Sequence, residues 1–175
     1  MKDRECGDCG ECCFALDVDV DGGSKMTECS HFCGGCTIYE DRPKSCADWS
    51  CLWITGDAPK SQRPDRTKII FWLPDLDTAA RWSNRLVMAA ETMEAAHRMP
   101  STEKYIRRLQ RAGNSVMVIH VDGGRTLYVQ REFLARVIVD SKKNGVVPSL
   151  SANKITFTAE QADKIWQEQE GGSTA

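Results

Sequence analysis

The chain has 175 residues and a formal net charge of −2, a size for one domain or for one domain with a small metal-held lobe. That balance creates no global field for nucleic acid or a membrane surface, and there is no run of about 18 apolar residues to span a bilayer. All nine cysteines lie within residues 1–51, where five Lys/Arg against eleven Asp/Glu leave −6; the remainder carries eighteen against fourteen, or +4.

Met1-Lys2-Asp3-Arg4-Glu5-Cys6 lacks the apolar stretch of a secretory signal, so the expected compartment is the reducing cytoplasm, where thiols stay free. An odd number of cysteines packed into one end argues against a disulfide scaffold and for metal ligands. The first group is Cys6-x2-Cys9-x2-Cys12-Cys13. Two-residue gaps let a tight turn aim both sulfurs at one ion, and Gly7 and Gly10 relax the backbone after a cysteine. In an extended chain Cys12 and Cys13 point opposite ways, so one serves this site and the other faces a second site or the core. Phe14 to Val20 alternates as a strand that turns at Asp21-Gly22-Gly23. Asp17, Asp19, Asp21 and Glu28 have calcium-loop spacing, but no amphipathic helices flank them and Ser24 stands where that loop carries an apolar residue.

Cys29-x3-Cys33-x2-Cys36 and Cys46-x4-Cys51 complete the set. The spacing of the first matches a radical-SAM triplet, but the chain is too short for that barrel. By spacing alone Cys33 and Cys36 also make a chelating pair. His31, between thiols, is a surface loop residue or a substitute ligand. Paired thiols suit tetrahedral zinc, and three cysteines at successive gaps of two also wrap a corner of an iron–sulfur cluster.

The run from Cys6 to Cys13, then Cys29, then Cys36-Thr37-Ile38-Tyr39-Glu40-Asp41-Arg42-Pro43-Lys44-Ser45-Cys46, then Cys51, resembles the zinc- or iron-chelating CxxCxxCC cysteine-cluster family over about residues 5–53. The resemblance implies a metal site, zinc or iron–sulfur, whose eight cysteines fall on Cys6, Cys9, Cys12, Cys13, Cys29, Cys36, Cys46 and Cys51; Cys33 is extra. It implies no reaction, and no catalytic residue is assigned. Pro43 sets a turn between ligand segments. Arg42 offers guanidinium hydrogen bonds to sulfur or carbonyls against the cluster's negative charge, or is an exposed arginine. Tyr39, Trp49 and Trp53 are expected as the small apolar core of this lobe.

Thr55–Pro64, rich in Gly, Pro, Ser, Lys and Gln, reads as the join. Thr67–Leu73 reads as a strand ending at Pro74-Asp75. Asn84–Glu91 alternates as a second strand, although its composition through His97 favours helix. Ser101 is expected to cap a helix over 102–112, with Tyr105, Ile106, Leu109 and Ala112 inward and Gly113 as its stop. Ser115–Val121 and Arg125–Gln130 form a hairpin across Asp122-Gly123-Gly124. Arg131–Lys143 is helical, with Phe133, Leu134, Val137 and Ile138 inward and Asn144-Gly145 at its end. Thr158 and Gln161 make a capping box for a last helix packing Ala162, Ile165 and Trp166.

The expected fold is α+β: a small irregular Cys-rich metal-bound lobe (1–55) packed on a small mixed α/β body with a C-terminal helix (65–175). His97 and His120 have no partner nucleophile, and His120 reads as a packed or hydrogen-bonded strand residue. Arg98, Lys104, Arg107, Arg108 and Arg111 read as a solvated face, since no aromatic residues interleave with them to stack on bases. The leading expectation is a metal-binding protein with a structural or assembly role and a protein partner, without membrane or nucleic acid. An iron–sulfur electron-transfer protein and a metal-dependent enzyme subunit are the alternatives.

Overall fold

The computed structural model describes residues 4–15, 29–74, 85–151 and 154–167. The expected strand from Phe14 and the calcium-type loop fall almost wholly outside them. Only Phe14 and Ala15 are described, and they are helical, not extended. The class is α+β, and six strands follow the sheet order β1-β2-β3-β4-β6-β5. The chain divides into two compact units: Met1–Leu73 with Ala89–Glu103, and Pro74–Met88 with Lys104–Ala175.

The first unit begins with short helices: α1 (Glu11–Ala15), α2 (Lys44–Ala47), α3 (Leu52–Thr55) and α4 (Pro64–Thr67). Each is about one turn long, too short to persist without tertiary support. The expected join at 55–64 is structured. Gly56 ends α3 at φ 94°, a 3-10 helix spans Lys60–Gln62, and Pro64 opens α4. Ala58 and Gln62 are buried there. Strands β1 (Ile69–Trp72) and β2 (Leu86–Glu91) follow, so the strand reading of 84–91 prevails over the helical one. Ile69, Ile70, Phe71, Ala89, Ala90 and Ala96 supply buried apolar surface to the first unit. It therefore extends beyond the Cys-rich segment, which has few aliphatics to bury.

Helix α5 (Pro100–Arg111) starts one residue before the expected cap at Ser101 and two before the expected first helical residue. Proline fits the first helical position because the amide it lacks would have no intrahelical partner, and this leaves Ser101 exposed inside the helix. Tyr105 and Ile106 are buried as expected, together with Thr102, whereas Ala112 lies past the helix end and is exposed.

The second unit has the stronger local signals. Strands β3 (Ser115–Ile119) and β4 (Arg125–Tyr128) pair antiparallel, with Val118 opposite Thr126 and Ile119 opposite Arg125. Gly123, at φ 83°, makes the turn. Helix α6 (Arg131–Lys143) ends at Asn144, and Gly145 takes φ 64° to leave it. Strands β5 (Ser149–Ser151) and β6 (Lys154–Phe157) lie where no sequence pattern predicts an element; β6 pairs antiparallel with both β4 and β5. Helix α7 (Ala159–Gln167) closes the unit. Leu86, Met117, Leu127, Val137, Ile155, Phe157, Ala162 and Ile165 form one buried cluster, and each large member contributes about 1.5–3 kcal/mol by leaving water. The Trp166 side chain lies outside the described ones.

The capping box is reciprocal. The Gln161 amide donates to Thr158 Oγ1 at 3.2 Å, and the Thr158 amide donates to Gln161 Oε1 at 3.1 Å. Thr158→Ala removes the acceptor for one orphan amide and is expected to destabilise the protein by about 1 kcal/mol. Urea titration would check this, and an unchanged midpoint would show the cap to be energetically idle.

Candidate metal centre

The centre is built within the first unit from four backbone devices. Gly7 at φ 54° turns the chain so that the Cys9 amide donates to the Cys6 carbonyl at 2.9 Å, bringing the first two thiols round one bend. The turn leads into α1, where Cys12 and Cys13 are consecutive helical residues. Their side chains are hydrogen-bonded to each other, so they are not set on opposite faces of an extended chain as expected from the sequence. Phe32 and Cys36 then form an antiparallel bridge closed by the Thr37 amide on the His31 carbonyl at 2.9 Å. Cys33 sits at the tip of this small hairpin and is exposed. Pro43 leads into α2, and the Cys46 amide donates to the Pro43 carbonyl at 2.9 Å. Cys51, at the start of α3, is buried.

Gly10 lets these devices meet. It is buried, and a Cβ built on it would lie 2.1 Å from the Phe32 ring. Phe32 in turn meets Phe14 edge-on, with ring centroids 5.1 Å apart. The absence of a side chain at Gly10 thus allows the hairpin bearing Cys29 and Cys36 to approach the helix bearing Cys12 and Cys13.

Together these segments surround a cavity of about 110 Å³. Its lining contains Cys6, Cys9, Cys12, Cys13, Cys29, Cys36, Cys46 and Cys51, and does not contain Cys33. His31 is half-buried on the wall, not on an outer loop surface. Tyr39, Trp49 and Trp53 also line the cavity instead of forming a core; Tyr39 is 41% exposed. None of the nine cysteines is in a disulfide. Among the described residues no three of the sulfurs lie within 4.8 Å of one another. As a donor set, eight soft sulfurs in an aromatic-walled cavity suit zinc or an iron–sulfur centre and are poor partners for calcium or magnesium.

The thiols affect one another. A hydrogen bond to Cys13, then burial, then the neighbouring Cys13, Cys6 and Cys9 thiols raise the pKa of Cys12. Burial first, then Cys29 and Cys13, raises that of Cys46, and burial also raises those of Cys9 and Cys51. Raised thiols are neutral near pH 7, so a metal must displace their protons to bind, and acid opposes its uptake.

Guanidinium groups bracket the cavity. Arg42 lies over the Tyr39 ring at 3.7 Å and donates to the Tyr39 carbonyl at 2.7 Å. Its positive charge opposes part of the rise in the Cys46 pKa. Trp53 has Arg4 and Arg63 at 5.3 and 5.5 Å from its ring. Arg4 holds the Trp53 and Ala58 carbonyls at 2.6 and 2.7 Å. Arg63 holds the Cys6 carbonyl at 3.2 Å and the Asp8 carboxylate at 2.5 Å, which keeps the Asp8 pKa below its ordinary value. Behind α1, Lys68 pairs with the buried Glu11 carboxylate at 2.6 Å. Sequence reasoning found Arg42 but missed Arg4, Arg63 and the Glu11–Lys68 pair, whose partners lie some fifty residues apart and carry no local signal.

Elsewhere, His97 does have a partner. Its Nδ1 lies 2.6 Å from Glu91 Oε1, which also accepts the His97 amide at 2.8 Å, and both side chains are buried. His120 lies one residue past β3, not in the strand expected, and is half-buried; its Nε2 lies 2.8 Å from Thr126 Oγ1, so it is hydrogen-bonded as expected. Among the described residues no helix is long and apolar enough to cross a membrane. No family model, curated protein or solved structure matches the chain.

Proposed function

We propose that this chain is a metal-binding cysteine-cluster protein that holds zinc or an iron–sulfur centre through Cys6, Cys9, Cys12, Cys13, Cys29, Cys36, Cys46 and Cys51. One observation carries the reading: a single cavity collects these eight thiols from four separate backbone segments and excludes the ninth, Cys33. The same eight positions are those that the resemblance to the CxxCxxCC family picks out. Bound metal would supply the cross-linking that the short helices and sparse aliphatic core around it lack. The role is structural or one of assembly with a protein partner, in a reducing compartment such as the cytoplasm, where dense thiols stay available.

Anaerobic purification followed by elemental analysis and a visible spectrum tests the proposal. Stoichiometric zinc without colour, or iron and sulfide with thiolate-to-iron absorption, is expected in the wild type. Cys9→Ser, Cys36→Ser and Cys46→Ser should lose metal, while Cys33→Ser should keep most of it. Metal loss in Cys33→Ser equal to that in Cys36→Ser would overturn the ligand assignment, and metal-free wild type would overturn the function.

A further inference from the structure

Cys33 is the cysteine that the metal-binding reading leaves over, and the small hairpin gives it a partner. It is exposed, whereas the other eight are half-buried or buried, and it lies outside the cavity lining that contains Cys36. Only Gly34 and Gly35 separate the two. At the base of the hairpin the Thr37 amide and hydroxyl donate to the His31 carbonyl at 2.9 and 3.0 Å, and Phe32 is bridged to Cys36. At its tip the Cys33 amide donates to the Gly35 carbonyl at 2.9 Å. That carbonyl belongs to the peptide leading into Cys36, so covalent dimensions place the Cys33 and Cys36 Cα atoms no more than roughly 7 Å apart. A disulfide spans about 4.4–6.8 Å between Cα atoms.

The two arms of the tip differ in their surroundings. A Cβ on Gly35 would lie 3.3 Å from the Gly7 carbonyl oxygen, so the Cys36 arm rests on the first cysteine turn. A Cβ on Gly34, at φ 64°, would meet no described atom within 4 Å. The Cys33 arm therefore has room to turn, and no side chain stands between the two cysteines along the chain. Solvent access beside a resolving cysteine is what marks a thiol for selective oxidation.

We propose that Cys33 is an oxidation site for hydroperoxides and that Cys36 resolves it, so that oxidation withdraws one ligand from the metal site. The consequence for metal rests on the metal-binding reading above; the pairing of the two cysteines does not. Cys33 gives its thiol proton to solvent, and its sulfur attacks one oxygen of hydrogen peroxide. The O–O bond breaks, leaving a sulfenic acid on Cys33 and hydroxide, which takes up a proton as water. The Cys36 sulfur then attacks the Cys33 sulfur. The S–S bond forms, the S–O bond breaks, and the departing hydroxide also becomes water. Together the two thiols give up two electrons and two protons, and the peroxide is reduced to two waters. A Cys36 sulfur bonded to Cys33 is neutral and held at the hairpin tip, so it no longer serves as a thiolate ligand. Thiol reductants of a reducing compartment restore it by exchange.

The test treats the full chain, purified anaerobically, with one equivalent of hydrogen peroxide. Peptide mass spectrometry after alkylation of the remaining thiols should find a Cys33–Cys36 disulfide, seen as the loss of two hydrogens, with the other cysteines alkylated. Elemental analysis of the desalted protein should show that the wild type loses most of its metal under this treatment and binds zinc again after dithiothreitol and zinc are added. Cys33→Ser should keep its metal through the same treatment. Cys36→Ser, with or without metal, should accumulate a Cys33 sulfenic acid that dimedone traps. The wild-type disulfide map stands even if a variant fails to fold. Cys33 left reduced while another pair is oxidised would overturn the proposal, as would equal metal loss from Cys33→Ser or metal retained by wild type bearing the disulfide. Wild type purified without metal that still forms the disulfide would instead overturn the metal-binding reading and support the oxidation site by itself.

Discussion

Removal of metal is expected to unfold the cavity-bearing segment while leaving the second unit folded. Between residues 29 and 67 the described helices have three or four residues each, and among the described residues of 4–58 the buried apolar side chains are Cys51, Leu52 and Ala58. Fragments of one turn do not hold themselves together, and so small an apolar set offsets little of the ordering entropy of these residues, about 1–2 kcal/mol for each backbone unit fixed. A structural zinc ion in a peptide supplies an apparent stabilisation of roughly 10–16 kcal/mol at neutral pH, far more than any contact in this segment. The second unit has its own core around Phe157, Ile155 and Met117 and its own antiparallel pairs. Hydrogen exchange after chelation should therefore show protection lost over residues 6–51 and retained in β3, β4 and β6. Equal loss along the whole chain would contradict the expected dependence, and so would unchanged protection at 6–51.

Gly10→Ala is expected to have the largest effect of any single methyl addition around the centre. The added Cβ would lie 2.1–2.7 Å from three Phe32 ring atoms, well inside van der Waals contact. Phe32 is poorly placed to yield: its ring meets Phe14, and its backbone is bridged to Cys36. Relief must come from separating the hairpin from α1, the two elements that bring Cys29 and Cys36 towards Cys12 and Cys13. Overpacking of this kind costs about 1–3 kcal/mol, and here it also widens the thiol-lined cavity. The denaturation midpoint and the metal content of Gly10→Ala should both fall. Phe32→Ala introduced beside it should restore part of the metal content, because the two substitutions share one contact. No change in either quantity for Gly10→Ala would show that the close approach does not organise the thiols.

Much of the second unit was readable because its signals are local. Asp122-Gly123-Gly124 is followed by an alternating strand, and the turn occurs there. Thr158 and Gln161 satisfy each other's amides within four residues, and α6 runs between the limits set by its periodicity and by Asn144-Gly145. Strands β5 and β6 were not readable. Three or four residues are too few to establish a period, and Ile155 and Phe157 become buried only because β4 lies alongside. The one-turn helices α1–α4 escaped for the same reason. The start of α5 was misplaced because Ser101 is a good cap in isolation, whereas Pro100 fits the first turn without needing one.

The sequence by itself determined the chemical nature of the candidate centre. Nine thiols at short spacings, with no competing cysteines in the other 124 residues, carry a soft-metal donor set wherever the chain folds, and the family-like string distinguishes eight from Cys33. Tertiary structure decided which thiols face one another, because that depends on turns and contacts between distant segments. Gly10 must admit Phe32 before the hairpin can approach α1, and α1 brings the Cys12 and Cys13 thiols within hydrogen-bond reach of each other. It also decided which cations stand beside the thiols. Arg63 and Lys68 reach Asp8 and Glu11 across more than fifty residues, an electrostatic pairing set by the folded path and invisible in local spacing.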